Sequence, residues 1–229
     1  MKIALVGYGK MGKLIEQLAP EYGCEVALKL DELNNAGFAG LTQENFAGIP
    51  VGIEFSIPSA TVENVERLAA LGVNVVVGTT GWLDNLDRVT AAVEKNGTAL
   101  VWSPNYSVGV NVFFRLVAEA AKLLSDQPEY GSWAWEIHHN TKKDAPSGTL
   151  LKLVDEMKKS GYARNIDVSS NRAGAHPGTH EIGFDSAADT ITMRHTARSR
   201  EGFARGALKA AQWIAGRKGV HEFSEVLFK

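Results

Sequence analysis

A single cysteine, Cys24, occurs among the 229 residues, so no disulfide can close within the chain. With no basic neighbour in sequence to activate its thiol, Cys24 reads as a small buried hydrophobe, and a reducing cytoplasm is the expected location. Blocks of like charge are missing as well: 24 Lys and Arg stand against 26 Asp and Glu, the formal net charge is -2, and no five or six like charges run together. That excludes the electrostatic footprint of a protein that holds nucleic acid or an anionic membrane. Long apolar runs are also absent. The opening stretch Ile3-Ala4-Leu5-Val6 breaks at Gly7, too soon for a signal peptide or a membrane span. Repeats, linkers and low-complexity tracts do not occur. What is present is 45% hydrophobic content in a chain long enough for one large core or two small ones, with a small molecule as the expected partner.

Ile3 to Val6 has the continuous apolar character of a parallel strand buried on both faces. Met11, Leu14, Ile15 and Leu18 then recur at helical spacing, Pro20 and Gly23 close that helix, and Glu25 to Leu30 reads as a second strand. Gly- and Asn-rich sequence from Asn34 to Ile49 reads as loop. Strands follow at Val51 to Ile57, Val73 to Val77 and Ala99 to Trp102, separated by helical patterns at Ser59 to Leu71 and Leu83 to Val93. This alternation predicts a Rossmann-type, doubly wound parallel sheet over residues 1–106. The pattern changes after Pro104. An amphipathic helix from Val108 to Leu124 precedes Ser132 to His139, where Trp133, Trp135 and Ile137 alternate with Ala134, Glu136 and His138 as in a sheet covered on one face. A helix at Ser147 to Lys159, capped by Ser147, and strands at Ile166 to Arg172, His180 to Phe184 and Thr190 to His195 complete a smaller α+β domain with an open mixed sheet, residues 107–199. The last helix, from about Arg200 to Ala215, and the tail to residue 229 are expected to return to the first domain.

Gly7-Tyr8-Gly9-Lys10-Met11-Gly12 follows a strand and opens a helix, the context in which such a run binds a dinucleotide. Gly7 permits the tight turn, Gly9 leaves room for the pyrophosphate, and Gly12 lets helix and strand approach, while the helix N-terminus and Lys10 and Lys13 favour an anion. Asp31 lies about twenty residues beyond the motif, where its carboxylate can accept hydrogen bonds from ribose hydroxyls. With Glu32 beside it and no arginine at the strand end to hold a 2′-phosphate, NADH is expected over NADPH, although the two lysines leave NADPH as the alternative. Gly78-Thr79-Thr80-Gly81 ends the fourth strand at the edge where open α/β sheets bind ligands, and reads either as a ligand loop or as a plain turn.

Residues 136–149, Glu-Ile-His-His-Asn-Thr-Lys-Lys-Asp-Ala-Pro-Ser-Gly-Thr, concentrate chemistry. Ser147, Gly148 and Thr149 would present backbone N–H groups and hydroxyls at a helix N-terminus, a site for a carboxylate. His138, His139 and Lys142 would supply positive charge for a second carboxylate, and any of them could donate a proton. No metal is expected: adjacent histidines on a strand point to opposite faces, and no cysteine or further clustered ligand completes a tetrahedron.

This segment, together with the Gly-rich motif, resembles the dihydrodipicolinate reductase family over essentially the whole chain. The family signature of His-His, two residues, Lys, then Asp-Ala-Pro-Ser-Gly-Thr runs here from His138 to Thr149. Phe55-Ser56-Ile57-Pro58, Gly78 to Gly81, Asn105 to Asn111 and Ser199 to Ala204 correspond too. The resemblance implies His138 and Lys142 as the catalytic pair, with His139, Ser147, Gly148 and Thr149 holding a cyclic dicarboxylate. It likewise implies Phe55, Ser56, Gly78, Thr79, Thr80, Ser103, Asn105, Tyr106 and Arg200 as cofactor contacts beside Gly7 to Gly12 and Asp31. A homotetramer assembled through the second domain's sheet is also implied, although Gly174 to Thr179 departs from the family's usual Val-Gly-Glu-His run. Another dehydrogenase of amino-acid metabolism and a non-catalytic dinucleotide sensor are the rival readings. A covalent semialdehyde enzyme would need an active-site cysteine, and a sensor has no use for the 138–149 cluster.

Overall fold

The computed structural model describes residues 1–228 and divides into two units, one formed by residues 1–107 with the C-terminal stretch from Glu201, the other by residues 108–200. The first unit holds β1 (Lys2–Val6), α1 (Lys10–Leu18), β2 (Glu25–Leu30), β3 (Val51–Glu54), α2 (Pro58–Ala70), β4 (Asn74–Val77), α3 (Leu86–Lys95) and β5 (Ala99–Trp102). After the second unit the chain adds α6 (Glu201–Ile214), β10 (Gly219–Glu222) and α7 (Phe223–Leu227). All six strands pair in parallel, in the order β10-β5-β4-β3-β1-β2.

Alternate residues of the four inner strands, β1, β3, β4 and β5, feed opposite cores, because side chains leave a strand with a period of two. Ile3, Leu5, Ile53 and Val101 pack with Ile15 of α1 and with Ala207, Leu208 and Ala211 of α6. Ala4, Val6, Val75 and Leu100 pack with Val65 and Leu68 of α2 and Val89 and Val93 of α3. Helices on both faces leave these strands no solvated side, which is why they are nearly all apolar. The sequence-level pattern did not reveal β10 and α7. The four residues of β10 carry no alternation to read, yet they pair with β5 from Gly219 against Ala99 to Glu222 against Trp102, and Phe223 behind them is fully buried against Tyr106.

The second unit contains α4 (Val108–Leu124), β6 (Gly131–His138), α5 (Gly148–Lys159), β7 (Ile166–Arg172), β8 (Thr179–Asp185) and β9 (Thr190–Thr196). Its sheet runs β7-β6-β8-β9, with only the β6–β7 pair parallel. Val110, Phe113, Phe114 and Val117 of α4 and Leu150, Leu153 and Met157 of α5 pack over Ala134, Ile182 and Phe184. The covered face of β6 is therefore that of Ala134, Glu136 and His138, all buried, while Trp133, Trp135 and Ile137 stay half-buried on the other. Two polar side chains inside and two tryptophans outside invert ordinary partition, and the inversion marks the inner face as chemically occupied.

Candidate active site

In the first unit a groove of about 640 Å³ opens along Gly7, Tyr8, Gly9, Asp31, Glu32, Phe38, Phe55, Ser56 and Asn64. Gly7 has φ +100°, and a Cβ there would lie 2.2 Å from the Phe55 carbonyl oxygen; one on Gly12 would lie 2.6 Å from the Gly7 oxygen. Both glycines are required by the fold itself. Gly9, the residue that caps α1, is different: a Cβ there meets nothing within 4 Å. The open space that Gly9 leaves at the helix N-terminus faces the groove, where main-chain N–H groups and the helix dipole favour an anion. Asp31 directly follows β2, with Oδ1 accepting from Leu33 N at 2.9 Å and Asn34 N at 3.1 Å, so the carboxylate is held in place at the groove wall.

Other expected cofactor contacts behave unequally. Gly78 makes room for the Phe55 ring, which a Cβ would overlap at 2.0 Å, and Thr79 Oγ1 accepts from Ser56 N at 2.9 Å, so these residues shape the groove from behind. Thr80 and Arg200 are exposed, as is Lys10 at the start of α1, while Met11 turns toward the core. Ser103 and Asn105 bond to one another, Ser103 Oγ donating to the Asn105 oxygen at 2.8 Å and accepting from Asn105 N at 3.1 Å. Tyr106 departs from expectation. It is 2% exposed, its ring tilted against that of Phe223, with its hydroxyl 2.9 Å from the Val77 and Val101 oxygens, so it is a core residue rather than a side-chain contact for a cofactor. Burial holds its hydroxyl well above the usual range.

Sequence reasoning passed over Glu54. It sits fully buried at the end of β3, receiving Ser56 Oγ, Asn64 Nδ2 at 3.3 Å and Thr61 Oγ1 at 3.4 Å. Burial pushes its carboxyl up, against the lowering effect of those donors. Because Nδ2 of Asn64 is taken by Glu54, the amide oxygen points elsewhere and has no partner although Asn64 lines the groove. A charged residue inside the apolar run 51–55 was the available signal.

In the second unit the chemistry gathers around Glu136. This fully buried carboxylate accepts from Ser147 N at 2.8 Å, from Ser147 Oγ, from Ser170 Oγ at 3.1 Å and from Arg172 Nη2 at 2.8 Å, while His180 Nε2 lies 3.3 Å away. Burial alone would raise its carboxyl, but donation from His180, Ser147 and Arg172 prevails and holds it well below the usual carboxylate range. His138 is 8% exposed, with Nδ1 3.4 Å from Glu136 Oε2 yet not hydrogen-bonded, and its ring edge-on to His180 at 5.1 Å. Desolvation lowers its imidazole to about 4, against the upward pull of Glu136. A histidine in that state is neutral at pH 7, so the expectation that His138 supplies positive charge is corrected: desolvation of the charged form outweighs the neighbouring carboxylate.

Lys142 Nζ lies 2.8 Å from Asp144 Oδ1, and His139 Nδ1 shares a hydrogen bond with Thr141 Oγ1 at 2.7 Å. Ser147 does cap α5, its Oγ accepting from Leu150 N at 3.2 Å, but both its donors are spent on Glu136 and it is 2% exposed. The expectation that Ser147 offers its donors to a substrate carboxylate is therefore corrected, since an N–H already bonded to a buried carboxylate has nothing to offer a ligand. Glu136, His138 and His180 bring three potential ligand atoms within 4.8 Å of one another, a grouping invisible in sequence because His180 comes from another strand. With four donors already on that carboxylate, one of them a guanidinium at 2.8 Å, the set is built for hydrogen bonding, and a second cation would meet direct repulsion.

A Gly-rich βα turn with ligand space on a parallel sheet, and a second unit offering a lysine, buried imidazoles and a helix tip, define a dinucleotide-dependent oxidoreductase with an anionic substrate. Residues 1–106 match the family model described as the N-terminus of dihydrodipicolinate reductase, and residues 109–227 that of its C-terminus. The 4-hydroxy-tetrahydrodipicolinate reductase of Christiangramia forsetii is 35% identical, with 99% of this chain and 98% of that protein aligned. That of Methanococcoides burtonii is 37% identical over 96% and 95% of the two. A dipicolinate-bound dihydrodipicolinate reductase from Paenisporosarcina sp. TG-14 shares the fold with a TM-score of 0.83 at 21% identity, 99% of each chain aligned. The chain belongs to the dihydrodipicolinate reductase family.

Proposed function

We propose that this chain reduces a cyclic dicarboxylate derived from 4-hydroxy-tetrahydrodipicolinate to tetrahydrodipicolinate, in the route to diaminopimelate and lysine. The observation that carries the reading is the α5 N-terminus: Lys142, Gly148 and Thr149 stand beside a buried carboxylate–imidazole cluster that no purely structural role requires. The reduced nicotinamide, when bound, supplies the hydride. Gly9 and the first turn of α1 hold its pyrophosphate, and Asp31 accepts from the adenosine ribose; the carboxylate would repel a 2′-phosphate, so NADH is preferred over NADPH.

Gly148 and Thr149 hold one substrate carboxylate at the helix tip, and fixing it there orients the acceptor carbon. Lys142 exchanges Asp144 for the substrate, stabilises charge that builds on the ring and delivers the proton that completes the reduction. His138, neutral and nearly buried, steers that proton by hydrogen bonding, while His139 contacts the substrate from the other side of the strand end. The chain acts in the cytoplasm as a homotetramer, with the half-buried Trp133 and Trp135 face of the second sheet as the surface that assembly would cover.

A coupled assay that presents freshly formed cyclic substrate should show loss of NADH absorbance, faster than with NADPH, and homoserine should support none. Lys142→Ala should lower kcat by at least about a hundredfold with an unchanged melting temperature. Normal turnover by that variant removes Lys142 from the chemistry; absence of turnover by the unmodified chain removes the function.

A further inference from the structure

We propose that Glu136 is a positioning residue for this reaction: one buried carboxylate holds the α5 N-terminus, Arg172 and the imidazole of His180 in a single arrangement, and its charge acts on His138 beside them. The proposal rests on the functional reading above and adds to it a residue that never meets the substrate, since Glu136 is fully buried. Its partners come from four places in the fold: Ser147 at the α5 cap, Ser170 and Arg172 on β7, His180 on β8, and His138 two residues along β6. Arg172 extends the network, its Nη2 also reaching the Asp144 oxygen, two residues beyond Lys142.

Stability is a poor reason for such a cluster. Buried ion pairs recover little more than their desolvation, and apolar residues of like volume serve a core at least as well. Arrangement is the better reason, because a buried carboxylate that takes four hydrogen bonds from two elements fixes the direction of each donor around it. On one side it orders the residue that starts the substrate-binding helix. On the other it sets the field at His138, where Glu136 favours the protonated form and His180, Lys142 and Arg172 oppose it.

Glu136→Gln keeps the shape and removes the charge. The variant should lose at least tenfold in kcat with KM for NADH within twofold, and the His138 titration, followed by NMR in the whole protein, should move to lower pH. Glu136→Asp, which keeps the charge on a shorter arm, should regain part of the lost kcat. A folded Glu136→Gln protein with unmodified kcat and an unmoved His138 titration overturns the proposal. Should Glu136→Gln not fold, His180→Gln decides: kcat reduced with KM for NADH unchanged supports the network, and unmodified kcat rejects it. If the unmodified chain does not turn over the cyclic substrate at all, the functional reading fails, and the His138 titration still tells whether Glu136 governs that imidazole.

Discussion

Gly7, Gly9 and Gly12 form one motif in sequence but answer to different forces. At Gly7 and Gly12 backbone oxygens stand 2.2 and 2.6 Å from where a Cβ would be, so either substitution moves main chain. At Gly9 that space holds no protein atom within 4 Å, and φ is -87°, which any residue adopts. Gly9→Ala should therefore leave the melting temperature unchanged while raising KM for NADH at least tenfold, about 1.4 kcal/mol of lost binding. Gly7→Ala should depress thermal stability by several degrees whether or not nucleotide is present. Thermal melts with and without NADH separate the two. A drop in the melting temperature of Gly9→Ala without nucleotide would make that glycine structural as well.

At the scale of elements, the strongly periodic segments were legible because each buries a face whose spacing repeats. The helix 108–124 and the strand 166–172 occupy the expected residues, and Ser147 caps α5 as its hydroxyl predicts. Short pieces were not legible. β10 offers four residues, none fully buried, and is a strand because β5 presents an unpaired edge beside it. Its anchor is Phe223, enclosed with Tyr106 at 4.8 Å between ring centres. Phe223→Ala should cost about 3–5 kcal/mol in urea unfolding, mostly through the cavity left beneath the sheet edge. A loss below about 1 kcal/mol would mean that the C-terminal elements add little to the first unit.

For the molecule as a whole, buried titratable groups tie stability to pH. His138 has its imidazole lowered to about 4 in the folded chain, below its ordinary value of 6.5. As pH falls through that interval the unfolded chain takes up a proton that the folded chain refuses, so stability declines, by up to about 3 kcal/mol. Glu136, held low, adds a loss at still lower pH, when its carboxyl must protonate; Glu54, held high, works in the opposite sense. Urea unfolding at pH 7, 5.5 and 4 should show a decline that is smaller by roughly 2–3 kcal/mol in His138→Gln. Equal declines in the two proteins would place the acid sensitivity elsewhere.

The sequence alone determined the parallel sheet, the order of its helices, the Gly-rich turn and the neighbourhood of 138–149, because those follow from local periodicity and from residues adjacent in the chain. It also carried the family resemblance. Only the tertiary structure decided that Glu136 faces the covered side of β6, that Arg172 and His180 join it, that Ser147 is spent on that carboxylate and that Tyr106 belongs to the core. The physical reason is distance along the chain: β7 and β8 bring residues 36 and 44 positions past Glu136 within hydrogen-bond or ion-pair reach of it, and no spacing rule predicts such a meeting. Charge states followed the same division, since desolvation of His138 is a property of its surroundings and not of its name.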